Sequence, residues 1–249
     1  VAHDEAAMRQ LGKLLPERDR RTLRLSQYID DRKLRPIPKE DNNYAKMSQW
    51  TMAKNDELGC CVVSGAVHMI QVWSSMAARE KILPDGMVER TYFDRTGGLD
   101  FGLHVLSFLK WWRSDSIAGH PLGAFVAVNP TNMDLMKTAI HLFGGVYTGL
   151  GLPLSAQGQD VWGVVTGGLS SVPYSWGGHL TVCCQYDKHG NLYNYTWGEK
   201  VPMTPAFTSC YCDEAYALLS LDWFTKDHKT PDGLAWKDLK SDLDKIKRG

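Results

Sequence analysis

The chain changes grammar at Gly144. Upstream, apolar residues recur at three- and four-residue spacings: Val62, Ala66, Met69, Ile70 and Trp73 within Cys61 to Met76, then Phe101 to Trp112, then Met133 to Phe143 behind Asn132, a side chain suited to an N-cap. Each stretch predicts a helix, the first of them buried. Downstream, His179 to Tyr186 and Leu192 to Trp197 are β-rich runs, and Asp187-Lys188-His189-Gly190-Asn191 between them has the composition of a hairpin turn. A helical first half and a sheet-forming second half predict an α+β fold.

Composition narrows the function classes. With 249 residues, 43% of them hydrophobic, the chain can bury a full core. Twenty-eight Lys and Arg balance 28 Asp and Glu with no dominant basic block, which argues against nucleic acid as a ligand, since phosphate neutralisation needs clustered cations. No stretch approaches the ~20 apolar residues of a membrane span, and the N-terminus lacks the profile of a secretory signal. A soluble chain is expected; Val1 is what removal of an initiator Met would leave. No internal repeat is present, which excludes a solenoid. Six cysteines fall in three close sets, Cys60-Cys61, Cys183-Cys184 and Cys210 with Cys212. Neighbouring cysteines rarely bridge each other, sparse cysteine points to a reducing cytoplasm, and no pair has zinc-ligand spacing. Neither a metal nor a cofactor is expected.

The ends read differently from the middle. Ala7, Met8, Leu11, Leu14 and Leu15 fall on one face of a short helix over residues 4–15, stopped by Pro16. Residues 17–38 are charged and read as a solvated tether, with a docking arm as the alternative. Leu221 to Trp223 ends a further helix or strand, and Leu239, Leu243 and Ile246 mark a closing amphipathic helix over 234–246. The expected organisation is an N-terminal arm over 1–40, a main domain over 41–224 and an amphipathic tail over 225–249. Trp73, Trp111 and Trp112 sit in apolar helical patterns and are expected in the core.

One constellation carries chemistry. Asn55-Asp56-Glu57-Leu58-Gly59-Cys60-Cys61 leads straight into the first helix. A helix start stabilises thiolate through free amides and the macrodipole, and those amides, with the side chain of Asn55, can hold an oxyanion. Trp176-Gly177-Gly178-His179 puts an imidazole on the first residue of a strand. A thiol with a sequence-distant histidine is the pairing of nucleophile and general base. His68 and His141 lie in helical patterns and read as satisfied core groups; His189 sits in a turn.

These segments, with Tyr195-Thr196-Trp197-Gly198, resemble the papain-like cysteine peptidase superfamily. From about Arg21 to Trp223 the chain also resembles uncharacterised papain-like proteins of bacteria and phages, through Ala66 to Trp73, Phe143 to Tyr147 and Asp213 to Ala217, the last a helix in that set. The resemblance implies a two-lobe fold, a helical N-terminal lobe and an antiparallel sheet-rich C-terminal lobe with the site in the cleft. It also implies Cys61 as nucleophile, His179 as base and later acid, and Asn55 as oxyanion donor. The peptidases' ring-orienting Asn is Tyr195 here. Asn194 is one residue away, which on a regular strand points it to the opposite face.

Two functions follow. The first is a thiol hydrolase acting on a peptide or related amide through Cys61 and His179, with acyl transfer as a variant of the same thioester chemistry. The second is a catalytically silent papain-fold binding or structural protein, such as a phage virion component, whose N-terminal arm lies along a neighbouring subunit.

Overall fold

The computed structural model describes residues 9–29, 36–220 and 237. Within them lie α1 (Cys61–Met76), α2 (Asp85–Thr96), α3 (Val105–Ser114), α4 (Met133–Phe143) and α5 (Pro205–Tyr211). The strands are β1 (Asp41–Asn42), β2 (Ser116–Ile117), β3 (His120–Ala127), β4 (Val146–Leu152), β5 (Gly177–Tyr186), β6 (Leu192–Thr196), β7 (Glu199–Met203) and β8 (Cys212–Ser220). They form one antiparallel sheet in the order β2-β3-β8-β4-β5-β6-β7, with β1 paired to β5. The fold is α+β, the two-lobe papain-like architecture expected from the sequence.

Alternation along the central strands separates two cores. Leu180, Val182 and Cys184 of β5 face α1 and α3 together with Tyr147, Tyr195 and Leu218. Cys183 joins Val146, Leu192, Ala217 and Leu219 on the opposite face, against α4 and α5. The α1 helix is buried almost all round, and its close approach to the sheet requires Gly65, where a Cβ would lie 2.4 Å from the Leu180 side chain. Asn132 caps α4, its side chain accepting from the Leu135 N–H at 3.0 Å, and Gly144 in the left-handed region ends the helix.

Several expectations are corrected. The second helical stretch, expected from Phe101, is α3 and begins at Val105, and Phe101 lies exposed ahead of it. Asp213 to Ala217 is strand β8, paired with β3 and β4 on both sides, where tertiary pairing overrides a helix-forming composition. His141 is no core group; its half-exposed ring meets Asp41 at 2.6 Å. Trp73 and Trp112 are buried, Trp111 only partly. Residues 17–29 are docked rather than solvated. Glu17 accepts from the backbone and hydroxyl of Ser107, Asp19 meets Lys110 at 2.7 Å, and Leu25 and Tyr28 are buried. Leu221 to Trp223 and the closing helix lie outside the described residues, apart from helical Lys237. Among the described residues no helix is long and apolar enough to cross a membrane.

Candidate functional site

Cys61 opens α1, and the loop in front of it is braced from behind. Asp100 accepts the Gly59 N–H at 3.1 Å and the Tyr92 hydroxyl at 2.6 Å, and that hydroxyl accepts the Gly102 N–H at 2.8 Å. Residues 100–103 are thereby fixed beside the helix start. Cys60 turns away into the core, 3.3 Å from the Ser64 hydroxyl.

His179 lies three residues into β5. Its Nε2 is 2.6 Å from the Thr196 hydroxyl, its ring stacks on Trp197 with centroids 4.1 Å apart, and its buried Nδ1 has no hydrogen-bond partner among the described residues. The stacking depends on a two-residue turn between β6 and β7, in which Trp197 and Gly198 both take positive φ, 47° and 69°. For tryptophan this is a strained conformation, of the kind retained where a side chain must be aimed. The backbone of Leu180, the residue after His179, lies beside the Cys61 thiol.

The cleft between them is filled by the chain's own N-terminal segment. Residues 9–15 are extended, not helical as their apolar spacing predicts. Backbone hydrogen bonds explain the override. The Lys13 N–H donates to Gly178 at 3.0 Å, the Leu103 N–H to Gly12 at 2.8 Å, the Leu14 N–H to Leu103 at 3.0 Å and the Gln10 N–H to Asn55 at 3.0 Å. Residues 4–8 of the predicted helix lie outside the described residues. Gly12 crosses at the thiol, where a Cβ would lie 1.6 Å from the Gly59 carbonyl oxygen, and Gly102 and Gly178 leave room for the Gly12 and Lys13 carbonyls. Arg9 stacks over Trp197 and pairs with Glu199.

Burial sets the electrostatics. The Cys61 thiol is pushed up to about 11 by desolvation, against the opposing pull of the Leu180 and Gly12 backbones, the Lys13 charge and the Val62 backbone. The helix start thus does not lower this thiol while the segment is in place. His179 is driven down to about 3 by burial first and by Arg9 and His68 next, and buried His68 likewise falls to about 3. Both rings are neutral when folded and titrate near 6.5 when unfolded. Their contribution is therefore complete above pH 6.5 and lost as pH falls from there toward 3, at about 1.4 kcal/mol per pH unit for each ring. Urea midpoints should drop between pH 7.5 and pH 5; equal midpoints would contradict the sealing of both imidazoles.

The other expected residues divide. Asn55 is buried, its side-chain amide donating to the Gln10 carbonyl and to the Leu58 carbonyl, both at 3.2 Å. The Trp197 indole N–H reaches the same Gln10 oxygen at 3.3 Å. Tyr195 faces α1, stacked on His68 with its hydroxyl 3.0 Å from Gln71. Asn194 does point to the face opposite Tyr195, but it bonds Thr181 and the Val201 carbonyl, and the β5 bulge between Cys183 and Gln185 lies beyond it. Thr196 is the partner of His179, seventeen residues on, and sequence reasoning passed over it. Also missed was the cluster of buried Lys13 and Glu214 with Asp213 and Tyr174, for which the Asp-Glu pair beside an apolar run was the available signal.

No protein-family model matches the chain, and no curated protein matches its sequence. Solved structures do match. Xylellain, a cysteine protease from Xylella fastidiosa, superposes with a TM-score of 0.69 at 12% identity, covering 86% of this chain and 97% of its own. Procathepsin L2 from the Tenebrio molitor larval midgut gives 0.58 at 10% identity over 87% and 80%. Procathepsin B from Trypanosoma congolense gives 0.56 at 10% identity over 87% and 88%. At such identities the likeness establishes the fold.

Proposed function

We propose that the protein is a papain-like thiol hydrolase acting on peptide or related amide bonds, held latent by its own residues 9–15. What supports this reading is Cys61 at the first turn of α1 beside the Leu180 backbone, one residue on from a histidine whose Nε2 is held by Thr196 and whose Nδ1 has no hydrogen-bond partner among the described residues. Once the segment leaves, water and substrate reach the thiol and the burial that keeps it protonated is relieved. His179 takes the Cys61 proton and the thiolate attacks the carbonyl carbon. Backbone amides at the helix start and the side chain of Asn55 hold the oxyanion. The amine leaves with the proton from His179, and water cleaves the thioester. The Gln10 carbonyl, held by Asn55 and the Trp197 indole, occupies the place of a ligand carbonyl.

Turnover of a fluorogenic peptide library by the protein with and without a cut in the exposed Arg20-Arg21 stretch tests this. Hydrolysis after the cut, abolished by Cys61→Ser and reduced at least ~100-fold by His179→Ala, is expected, since losing a general base costs 10²-fold or more. No hydrolysis by the cut protein, or hydrolysis that survives Cys61→Ser, overturns the assignment. Thr196→Val should leave the fold intact and lower kcat about tenfold with little change in KM, because it frees the ring without touching substrate. An unchanged kcat would remove Thr196 from the orienting role.

A further inference from the structure

Lys13 is an unusual residue to bury. Its side chain is fully enclosed, and the ammonium reaches Asp213 at 3.0 Å, the Tyr174 hydroxyl at 2.9 Å, the Leu14 carbonyl at 3.2 Å and Glu214 at 3.3 Å. Three donors thus find three hydrogen-bonding acceptors. Glu214 Oε1 lies within ion-pair range of Lys13 yet makes no hydrogen bond, and its side chain is only 6% exposed. Its second oxygen accepts from the Tyr216 hydroxyl at 3.0 Å. The aliphatic stem lies along β4 at Gly149, where a Cβ would sit 2.3 Å from Lys13 Cε. A Cβ on Gly151 would lie 2.5 Å from the Tyr174 ring, so two glycines of one strand make room for the stem and for the ring that closes over it. The Tyr174 hydroxyl also bonds Asp213, which fixes the pocket's outer carboxylate.

Glu214, buried and deprived of its cation, would be strongly unfavourable, while the exposed Asp213 forms the outer wall of the site. Replacing a buried ion pair by apolar residues is often neutral or stabilising, so fold stability alone does not account for Lys13 and Glu214 meeting here. The polypeptide carrying that cation runs through the cleft, its neighbour Gly12 lying at Cys61.

We infer that Asp213, Glu214, Tyr174 and Gly149 form a binding subsite for a lysine side chain, and that Lys13 is its resident occupant. Resting on the hydrolase reading, the substrate class is then peptides with lysine adjacent to the residue that crosses the thiol. The slot over Gly149 fits an unbranched stem, and the acceptors surround a compact ammonium rather than the planar fork of arginine.

The subsite can be tested by binding, without turnover. In full-length protein carrying Lys13→Ala, a synthetic peptide of residues 9–15 should protect Cys61 from iodoacetamide at a concentration at least tenfold lower than the same peptide with norleucine in place of lysine. Adding Asp213→Asn and Glu214→Gln should erase that difference. Equal protection by the two peptides, or none by either, overturns the inference. Should Lys13→Ala fail to fold, hydrogen exchange of the Gly12 to Leu14 amides supplies the second measurement. It should accelerate at least tenfold in Glu214→Gln relative to the wild-type chain, and unchanged exchange overturns the inference. A protein that captures the lysine peptide selectively but cleaves no peptide would refute the hydrolase reading and leave the subsite standing.

Discussion

Gly12→Ala should make Cys61 react with iodoacetamide about a hundredfold faster near neutral pH. The added Cβ would fall 1.6 Å from a backbone oxygen of Gly59, in a loop that Asp100 and Tyr92 brace from behind, so the neighbour cannot yield. The segment must move instead. Once water reaches the sulfur, a thiol held at about 11 returns toward its ordinary value near 8.5, and each unit recovered is tenfold in thiolate. Mass-spectrometric mapping of the alkylated cysteine, with Cys210 as the exposed internal reference, reads the rate directly. An unchanged rate would mean that something other than residues 9–15 closes the site.

The second large effect concerns stability. Trp112→Ala should cost about 3–5 kcal/mol, the range for deleting a buried aromatic ring from a packed core. Trp112 is fully buried between α3 and the β2–β3 edge, with the rings of Trp73 and Phe108 each 6.3 Å away by centroid. Its indole N–H donates to the His120 carbonyl at 2.8 Å. Collapse of the surroundings is restricted, because both neighbouring rings are themselves fixed on helices of the same lobe. Equilibrium urea unfolding measures the loss; a cost below about 1 kcal/mol would show that the site repacks.

The elements that could be read in advance carried their own local instructions. Cys61–Met76 and Met133–Phe143 match the periodic stretches to the residue, because apolar spacing, the Asn132 cap and Gly144 all agree. The hairpin of β5 and β6 was equally legible from its turn composition. Strand β4 was not, because it is buried on both faces and shows no alternation. Strand β8 looks helical until β3 and β4 pair with it. Residues 9–15 have helical spacing too, but their amides are satisfied by both lobes at once, information absent from any local window. At the candidate site, Cys61 and His179 could be picked out by residue type. The partner of His179 could not, since a threonine one place beyond the expected position supplies the hydroxyl, while Tyr195 serves the other face of the sheet.

Because residues 9–15 are tethered to the domain they occupy, they compete as an intramolecular ligand whose effective concentration is of millimolar order for a short linker. A free peptide at micromolar levels therefore faces a handicap of about a thousandfold that owes nothing to its fit. Severing the exposed Arg20-Arg21 stretch would turn this permanent rival into an ordinary dissociable one, which dilution alone can remove. The strength of restraint on the cleft is thus written in chain connectivity as much as in contacts, and a single backbone cut can cancel it.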